Sequence, residues 1–110
     1  MSALAKEPCV PCTGATPRVE GAAIRGLMEE LDDRWEVKDE RILEATIRFD
    51  DFVNAMAFAN EVGKLAEEAG HHPELCVTWG RVTIRIWTHA IDGLSRNDFI
   101  LAARIDEVGR

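Results

Sequence analysis

Apolar residues recur at helical spacing in two long stretches of the chain. The first follows Thr16-Pro17, a pair typical of a helix start, and is expected to end near Leu31. The second covers Phe52–Ala69 and follows Asp50-Asp51, whose negative charges suit a helix N-terminus. Gly70 then occupies the position after the helix where a left-handed backbone costs least. The pattern therefore predicts two helices, of which the second is the longer.

Four further segments are predicted to be strands in two hairpins. Residues 42–49 alternate between apolar and polar side chains, as a strand with one wet face does, and 34–37 precede them across a polar turn. Residues 75–79 and 81–89 form the second pair. Gly80-Arg81 is expected to be the loop of this second hairpin, since glycine suits the first position of a type II′ turn.

A last helix is predicted from Ser95 onward. Ser95 and Asp98 match the acidic form of a capping box, in which an N-cap hydroxyl precedes an acidic residue by three positions. The predicted order is α-β-β-α-β-β-α, which favours an α+β fold with a four-stranded antiparallel sheet and helices packed on one face. We divide the chain into an irregular N-terminal arm, 1–15, and a single domain, 16–110.

Composition narrows the classes of partner. The chain has 110 residues, an apolar fraction of 46% and a formal net charge of −7. A net negative charge disfavours nucleic acid or an anionic membrane surface, because both need a basic face. The sequence has no transmembrane-length apolar run, and Lys6, Glu7 and Pro8 interrupt any signal-peptide pattern, so a cytoplasmic location is expected.

Cysteines add one short motif, Cys9-Val10-Pro11-Cys12. A CxxC can bind a metal or cycle between dithiol and disulfide. No second CxxC or nearby histidine pair completes a zinc site, and the motif lies in the Pro- and Gly-rich arm rather than between a strand and a helix. Cys76 is predicted to be a small buried residue in a strand.

The three histidines of the chain, His71, His72 and His89, all fall in its C-terminal half. His71 and His72 follow the end of the long helix, and His89 ends a predicted strand. Three interpretations stay open: a metal site completed by carboxylates, helix-end capping by a histidine, and a metal-free acid–base cleft. Glu67 lies one turn before His71 and is positioned to orient an imidazole, whereas the capping box alone already explains Asp98.

These residues resemble the signature of a known family, the pterin-4a-carbinolamine dehydratases. That signature places an acidic residue, His-His-Pro, an aromatic residue, a histidine and an aspartate at set intervals. Its positions here are Glu67, His71-His72-Pro73, Trp79, His89 and Asp98. The resemblance covers roughly Leu31 to the C-terminus, and the Cys-Val-Pro-Cys arm is similar to that of many bacterial members.

The resemblance implies an enzyme that dehydrates 4a-hydroxytetrahydropterin to quinonoid dihydropterin and so supports tetrahydropterin recycling. It implies His71 and His89 as the acid–base pair, with His72 beside them as the catalytic-site partner that holds the substrate. No metal and no organic cofactor are expected. The residues implied in substrate binding are Glu67, Pro73, Glu74, Trp79, Thr88 and Asp98.

Not every protein that resembles this family is primarily an enzyme. One alternative is a catalytically silent, chaperone-like Rubisco assembly factor of carboxysome-bearing bacteria, and another is a regulatory dimerisation cofactor. The three intact histidines favour the enzyme, because a scaffold has no physical need for three imidazoles. The expected partners are the pterin carbinolamine, further copies of this chain in a homodimer or homotetramer, and either a pterin-dependent hydroxylase or Rubisco. Neither nucleic acid nor membrane is expected.

Overall fold

The alternating segments pair into one antiparallel sheet in a computed structural model of the protein that describes residues 3–108. The sheet order is β1-β2-β4-β3, so β2 and β4 are central and β1 and β3 are edges. The predicted α+β class and the order α-β-β-α-β-β-α are confirmed. The helices and strands in chain order are α1 (Ala22–Met28), β1 (Trp35–Lys38), β2 (Ile42–Arg48), α2 (Phe52–Ala69), β3 (Glu74–Thr78), β4 (Arg81–Ile86) and α3 (Arg96–Asp106). Two short 3₁₀ turns cover Leu4–Lys6 and His89–Ile91.

One face of the sheet carries the core. Leu43 of β2 lies opposite Ile86 of β4, and Ala45 lies opposite Ile84; all four side chains are buried. The three helices supply most of the rest of the core, and α3 is buried along almost its whole length. The opposite sheet face is polar. Burial of the aliphatic face is the main favourable contribution to stability, at roughly 25 cal/mol for each Å² of apolar surface removed from water.

Helix α2 begins and ends at the residues that the sequence predicted. The Asp51 carboxylate accepts a hydrogen bond of 2.8 Å from the backbone N–H of Asn54, which caps the first turn. Gly70 ends the helix with φ of 65°, a conformation that glycine adopts without steric cost. The backbone N–H of His71 returns to the carbonyl of Ala66 at 3.1 Å. This bond fixes where the chain leaves the helix.

The predicted start of the first helix is wrong. Thr16-Pro17 lies in a turn and an extended segment, and α1 begins only at Ala22. The extended segment is held by tertiary contacts, because the Val19 N–H donates to the carbonyl of Leu94 at 2.8 Å. Arg18 donates to the carbonyls of Asp92 and Ile91. These contacts with a distant loop hold the chain extended here and outweigh the local helix-start signal of Thr16-Pro17.

The second hairpin also differs in detail from its prediction. Its loop is Trp79-Gly80 rather than Gly80-Arg81, because Thr78 pairs with Arg81 as the last rung of the ladder. Strand β4 ends at Ile86, so His89 lies in a 3₁₀ turn beyond the strand rather than at the strand end. Cys76 is exposed on β3, against the expectation of burial, since it faces the polar side of an edge strand.

The N-terminal arm is attached to α3. Leu4 and Ala5 are buried, and Arg104 of α3 donates to the carbonyls of Ala5 at 3.1 Å and Glu7 at 2.6 Å. Arg96 forms two hydrogen bonds of 2.7 Å with the Glu7 carboxylate. The division into an arm over 1–15 and a domain over 16–110 stays a prediction, but the described part of the arm packs on the domain.

Candidate active site

The sheet brings the ends of three elements together. Because β3 and β4 are antiparallel, with Glu74 opposite Arg85, the segment before β3 and the segment after β4 lie at the same end of the sheet. The first segment carries His71, His72 and Pro73, and the second carries Thr88 and His89. The first turn of α3 adds Asp98 to this end.

His71 and Asp98 form a buried pair. The Nε2–H of His71 donates to Oδ1 of Asp98, and the two residues are 8% and 0% exposed. The carboxylate holds the ring in one orientation and stabilises the imidazolium that forms when the ring takes up a proton. Because Nε2 is occupied by Asp98, Nδ1 is the ring nitrogen left for a substrate.

The second oxygen of Asp98 is held by two further donors. Oδ2 accepts from the backbone N–H of Ser95 at 2.8 Å and from the Thr88 hydroxyl at 2.9 Å. Since that hydroxyl has a single proton, the Ser95 hydroxyl donates to Thr88 Oγ1, 2.6 Å away. The predicted capping box is therefore present, and it forms part of the site. Thr88 is 1% exposed, and its hydroxyl supports the Asp98 carboxylate.

His72 has the opposite environment. Its Nε2 lies 2.7 Å from Oε1 of Glu67, and the two side chains are 63% and 80% exposed. Glu67, one turn before the histidines, thus orients His72 and not His71. A cleft of about 820 Å³ runs beside this pair, lined by His72, Pro73, Glu67 and neighbouring residues of α2.

His89 is exposed in the turn that follows Thr88. The ring of Trp87 packs against it, with centroids 4.5 Å apart and planes at 33°. A bridge between Thr88 and Gly93 closes the turn, with the Thr88 N–H donating to the Gly93 carbonyl at 2.8 Å. His89 directly follows Thr88 in the chain, and the Thr88 hydroxyl donates to the Asp98 carboxylate.

Two predicted substrate-binding residues lie apart from this cluster. Trp79 is in the loop at the other end of the hairpin and is 72% exposed. It is six positions after Pro73 along an extended chain, which is about 20 Å at the usual rise of a strand. Glu74 is next to Pro73, but its carboxylate is 3.3 Å from Nη1 of Arg85 on the polar sheet face.

Two further residues contribute to the site, Ser95 and Trp87. The capping-box motif identified Ser95 as a helix start, and only the position of Thr88 shows that its hydroxyl also supports the site. Trp87 shares a strand face with His89 in the sequence pattern, which was a usable signal for their contact. Within residues 3–108, no cluster of three or more His, Cys, Asp or Glu side chains is arranged to hold a metal ion.

Comparisons with known proteins agree on one family. The model of the pterin 4 alpha carbinolamine dehydratase family matches residues 17–108. This chain belongs to that family. A member of the family from Rubrobacter xylanophilus, named "Putative pterin-4-alpha-carbinolamine dehydratase", is 46% identical over 108 residues, which cover 98% of this chain and 100% of that protein. A protein of the same name from Chlorobium limicola is 50% identical over 107 residues, covering 94% of each chain.

A solved structure extends the likeness to the fold. The crystal structure of a transcriptional coactivator/pterin dehydratase from Brucella melitensis has a TM-score of 0.74 and is 27% identical. The match covers 81% of this chain and 95% of that one. The resemblance noted in the sequence is therefore confirmed at the level of family and architecture. Among residues 3–108, no helix has both the length and the apolar character needed to cross a membrane.

Proposed function

We propose that this member of the pterin dehydratase family dehydrates 4a-hydroxytetrahydropterin to quinonoid dihydropterin by histidine acid–base catalysis, and so supports tetrahydropterin recycling. The observation that carries the proposal is the buried His71–Asp98 pair at the same end of the sheet as His89. The names of its relatives and family membership over residues 17–108 agree with this activity.

The reaction needs one proton delivered and one removed. The hydroxyl at C4a accepts a proton and leaves as water, while the lone pair of the adjacent ring nitrogen forms the new C=N bond. The N–H proton is then removed by a base, so protons and electrons balance without an external oxidant. We assign this proton removal to His71, whose imidazolium Asp98 stabilises, and delivery to the hydroxyl to the exposed His89.

His72 is assigned to substrate binding at the catalytic site. Its ring is exposed beside the cleft of about 820 Å³ and is oriented by Glu67. Pro73 lines the same cleft and sets the direction of the chain after the two histidines. We retain Glu74 and Trp79 as proposed substrate contacts only through the family resemblance, since neither is in the His71 cluster.

The test is stopped-flow measurement of carbinolamine dehydration with the wild type, His71→Ala, His89→Ala and the double variant. Each single change is expected to lower kcat by about 100-fold or more, the scale of a positioned acid or base. The double change is expected to remove most of the remaining activity. A wild type no faster than buffer would contradict the proposed function. If chelators inhibit the protein and zinc restores its activity, the metal-free mechanism is wrong.

We further propose that the protein works in the cytoplasm as a homodimer or homotetramer. Phe52, Val53 and Met56 are exposed large apolar side chains close together at the start of α2, and exposed apolar patches are typical of interaction surfaces. Light scattering after size exclusion is expected to give a mass of two or four chains. Val53→Lys is expected to reduce that mass, and a monomeric wild type would contradict the proposal.

A further inference from the structure

The CxxC motif lies against the helical turn that carries Asp98. Asn97, at 4% exposed, uses its whole side-chain amide on the arm: Oδ1 accepts from the Val10 N–H at 3.1 Å, and Nδ2 donates to the Val10 carbonyl at 2.6 Å. Nδ2 also lies 3.0 Å from Sγ of Cys12. The Asn97 amide thus binds both the N–H and the carbonyl of Val10, which lies between the two cysteines, and it also contacts the sulfur of Cys12.

The same turn of α3 has two groups of contacts. Arg96 and Asn97 hold the arm through Glu7 and Val10, whereas the next residue, Asp98, holds His71. A displacement of the arm therefore pulls on residues directly adjacent in sequence to the carboxylate of the acid–base pair. Because this first turn is buried among packed side chains, movement there is transmitted rather than absorbed.

Cys9 is partly buried and packs against the hydrophobic core. Burial raises the pKa of the Cys9 thiol above its usual value, the Arg104 guanidinium opposes that rise, and the charges of Cys12 and Asp98 add to it. Both Cys9 and Cys12 are free and only partly buried, so reagents in solution reach them. Two cysteines separated by two residues have the spacing at which a dithiol can cycle with a disulfide.

We propose that Cys9 and Cys12 form a reversible dithiol–disulfide pair that controls how firmly the arm holds the first turn of α3, and thereby the position of Asp98 against His71. The effect on catalysis rests on the proposed dehydratase function. The redox coupling between the arm and α3 is argued only from the Asn97 contacts and from the packing of the arm against α3. It gives a role to a motif that the dehydration reaction does not use.

The redox step needs a co-reactant, which is a low-molecular-weight disulfide of the glutathione class. One protein thiolate attacks a sulfur of that disulfide and releases one small thiol. The second protein thiolate then attacks the mixed disulfide and releases the other. The protein loses two hydrogens and forms one S–S bond, while the small disulfide is reduced to two thiols, so atoms and electrons balance.

Oxidation changes the contacts of Asn97. An S–S bond of about 2.05 Å draws Sγ of Cys12 toward Cys9 and closes Val10 and Pro11 into a small ring. The contact from Asn97 Nδ2 to Cys12 is then lost, and the Val10 backbone shifts relative to Oδ1. The reduced protein is therefore the form in which the arm is fully attached, and oxidation releases the first turn of α3.

The experiment uses the full chain with Cys76→Ser as the background, because Cys76 is exposed on β3 and reacts independently. Cys76→Ser alone, Cys76→Ser/Cys12→Ser and Cys76→Ser/Cys9→Ser are each incubated with oxidised glutathione or with dithiothreitol. Mass spectrometry detects the internal disulfide, hydrogen exchange follows the amides of Val10 and Asp98, and stopped flow gives kcat and KM for the carbinolamine.

We expect the Cys76→Ser protein alone to form the internal disulfide. Its Val10 and Asp98 amides then exchange faster, and kcat falls about 3- to 10-fold, the scale of one lost hydrogen bond. KM changes little, and dithiothreitol restores both readouts. The two double variants are expected to show no internal disulfide and no change in exchange or kcat.

Failure of the inference is distinguishable from failure of the proposed function. If the disulfide does not form, or forms while exchange at Asp98 is unchanged, the coupling is wrong whatever the activity. If the protein dehydrates the carbinolamine with the same kcat in both redox states, the coupling is again wrong. If it has no dehydratase activity but exchange at Asp98 responds to oxidation, the coupling holds and the proposed function fails.

Discussion

His71 and His72 are adjacent in the chain but occupy two different electrostatic environments. The His71 ring is nearly enclosed, and its partner Asp98 has no exposed surface. The His72 ring is mostly in water, and so is its partner Glu67. A buried, hydrogen-bonded pair holds its geometry, whereas an exposed pair exchanges its hydrogen bond with solvent. The two histidines are therefore suited to different work, the first to proton transfer and the second to adaptable binding.

The difference follows from what lies behind each carboxylate. Asp98 is anchored by the Ser95 N–H and by the Thr88 hydroxyl, which Ser95 supports in turn. Glu67 is a flexible side chain on the outer face of α2 with 80% of its surface exposed. A buried carboxylate held by several donors fixes an imidazole more firmly than an exposed carboxylate does.

The largest expected effect comes from changing Asp98, the buried carboxylate. Asp98→Ala leaves the Ser95 N–H, one hydroxyl proton of the Thr88–Ser95 pair and His71 Nε2 buried without an acceptor, so we expect a loss of roughly 3–5 kcal/mol in the free energy of unfolding. The milder Asp98→Asn retains the side-chain volume and is expected to lower kcat about 100-fold while the protein stays folded. Urea unfolding and stopped-flow kinetics measure the two, and a loss below about 1 kcal/mol for Asp98→Ala would contradict the buried network.

The next effect compares the two histidines directly. His71→Ala is expected to lower kcat about 100-fold or more, because it removes the base. His72→Ala is expected to act mainly on KM, raising it several-fold while kcat falls much less, because it removes a contact made in both ground and transition states. Equal losses of kcat from the two variants would show that burial does not separate their roles.

A second buried aspartate on α3 gives a matched control for Asp98. Asp106 accepts hydrogen bonds from Trp35 Nε1 at 2.7 Å and from Arg34, and lies outside the histidine cluster. Burial raises the pKa of Asp106 above its ordinary value of 3.8, while its bonds to Trp35 and Arg34 oppose that rise. The folded chain therefore binds this proton more readily than the unfolded chain, and the stability contributed by Asp106 is lost as pH rises through its folded pKa.

We accordingly expect the stability advantage of wild type over Asp106→Asn to shrink as pH is raised above 3.8, with kcat at neutral pH unchanged. Urea unfolding over a pH series measures the first and stopped flow the second. An advantage that grows with pH would mean that Trp35 and Arg34 outweigh burial. A loss of kcat like that of Asp98→Asn would remove the distinction between the two aspartates.

The smallest expected effect comes from changing Glu67, the exposed carboxylate. Glu67→Gln is expected to change the free energy of unfolding by less than about 0.5 kcal/mol, because an exposed pair contributes little. It is expected to raise KM about two-fold at low salt, with the difference from wild type fading as salt screens the pair. A large loss of stability or of kcat would show that Glu67 is more rigidly held than its exposure indicates.

The elements that local chemistry specifies were predictable. Helix α2 has the predicted bounds because a capping aspartate, a continuous apolar face and Gly70 all agree on them. The start of α1 was not predictable, since Arg18 and Val19 bind a loop more than 70 residues away, and this outweighs the helix-start signal at Thr16. The end of β4 was overextended for a similar reason, because the bridge between Thr88 and Gly93 turns the chain.

The candidate site divides in the same way. The sequence determined which residues are available, namely three histidines near a helix end and a capping box at Ser95, together with the family they resemble. Only the tertiary structure decided that Asp98 pairs with His71, that Glu67 pairs with His72, that Thr88 supports the carboxylate, and that the arm binds the same helical turn. Partners are chosen by which side chains meet when β3, β4 and α3 pack, and spacing along the chain does not encode that meeting.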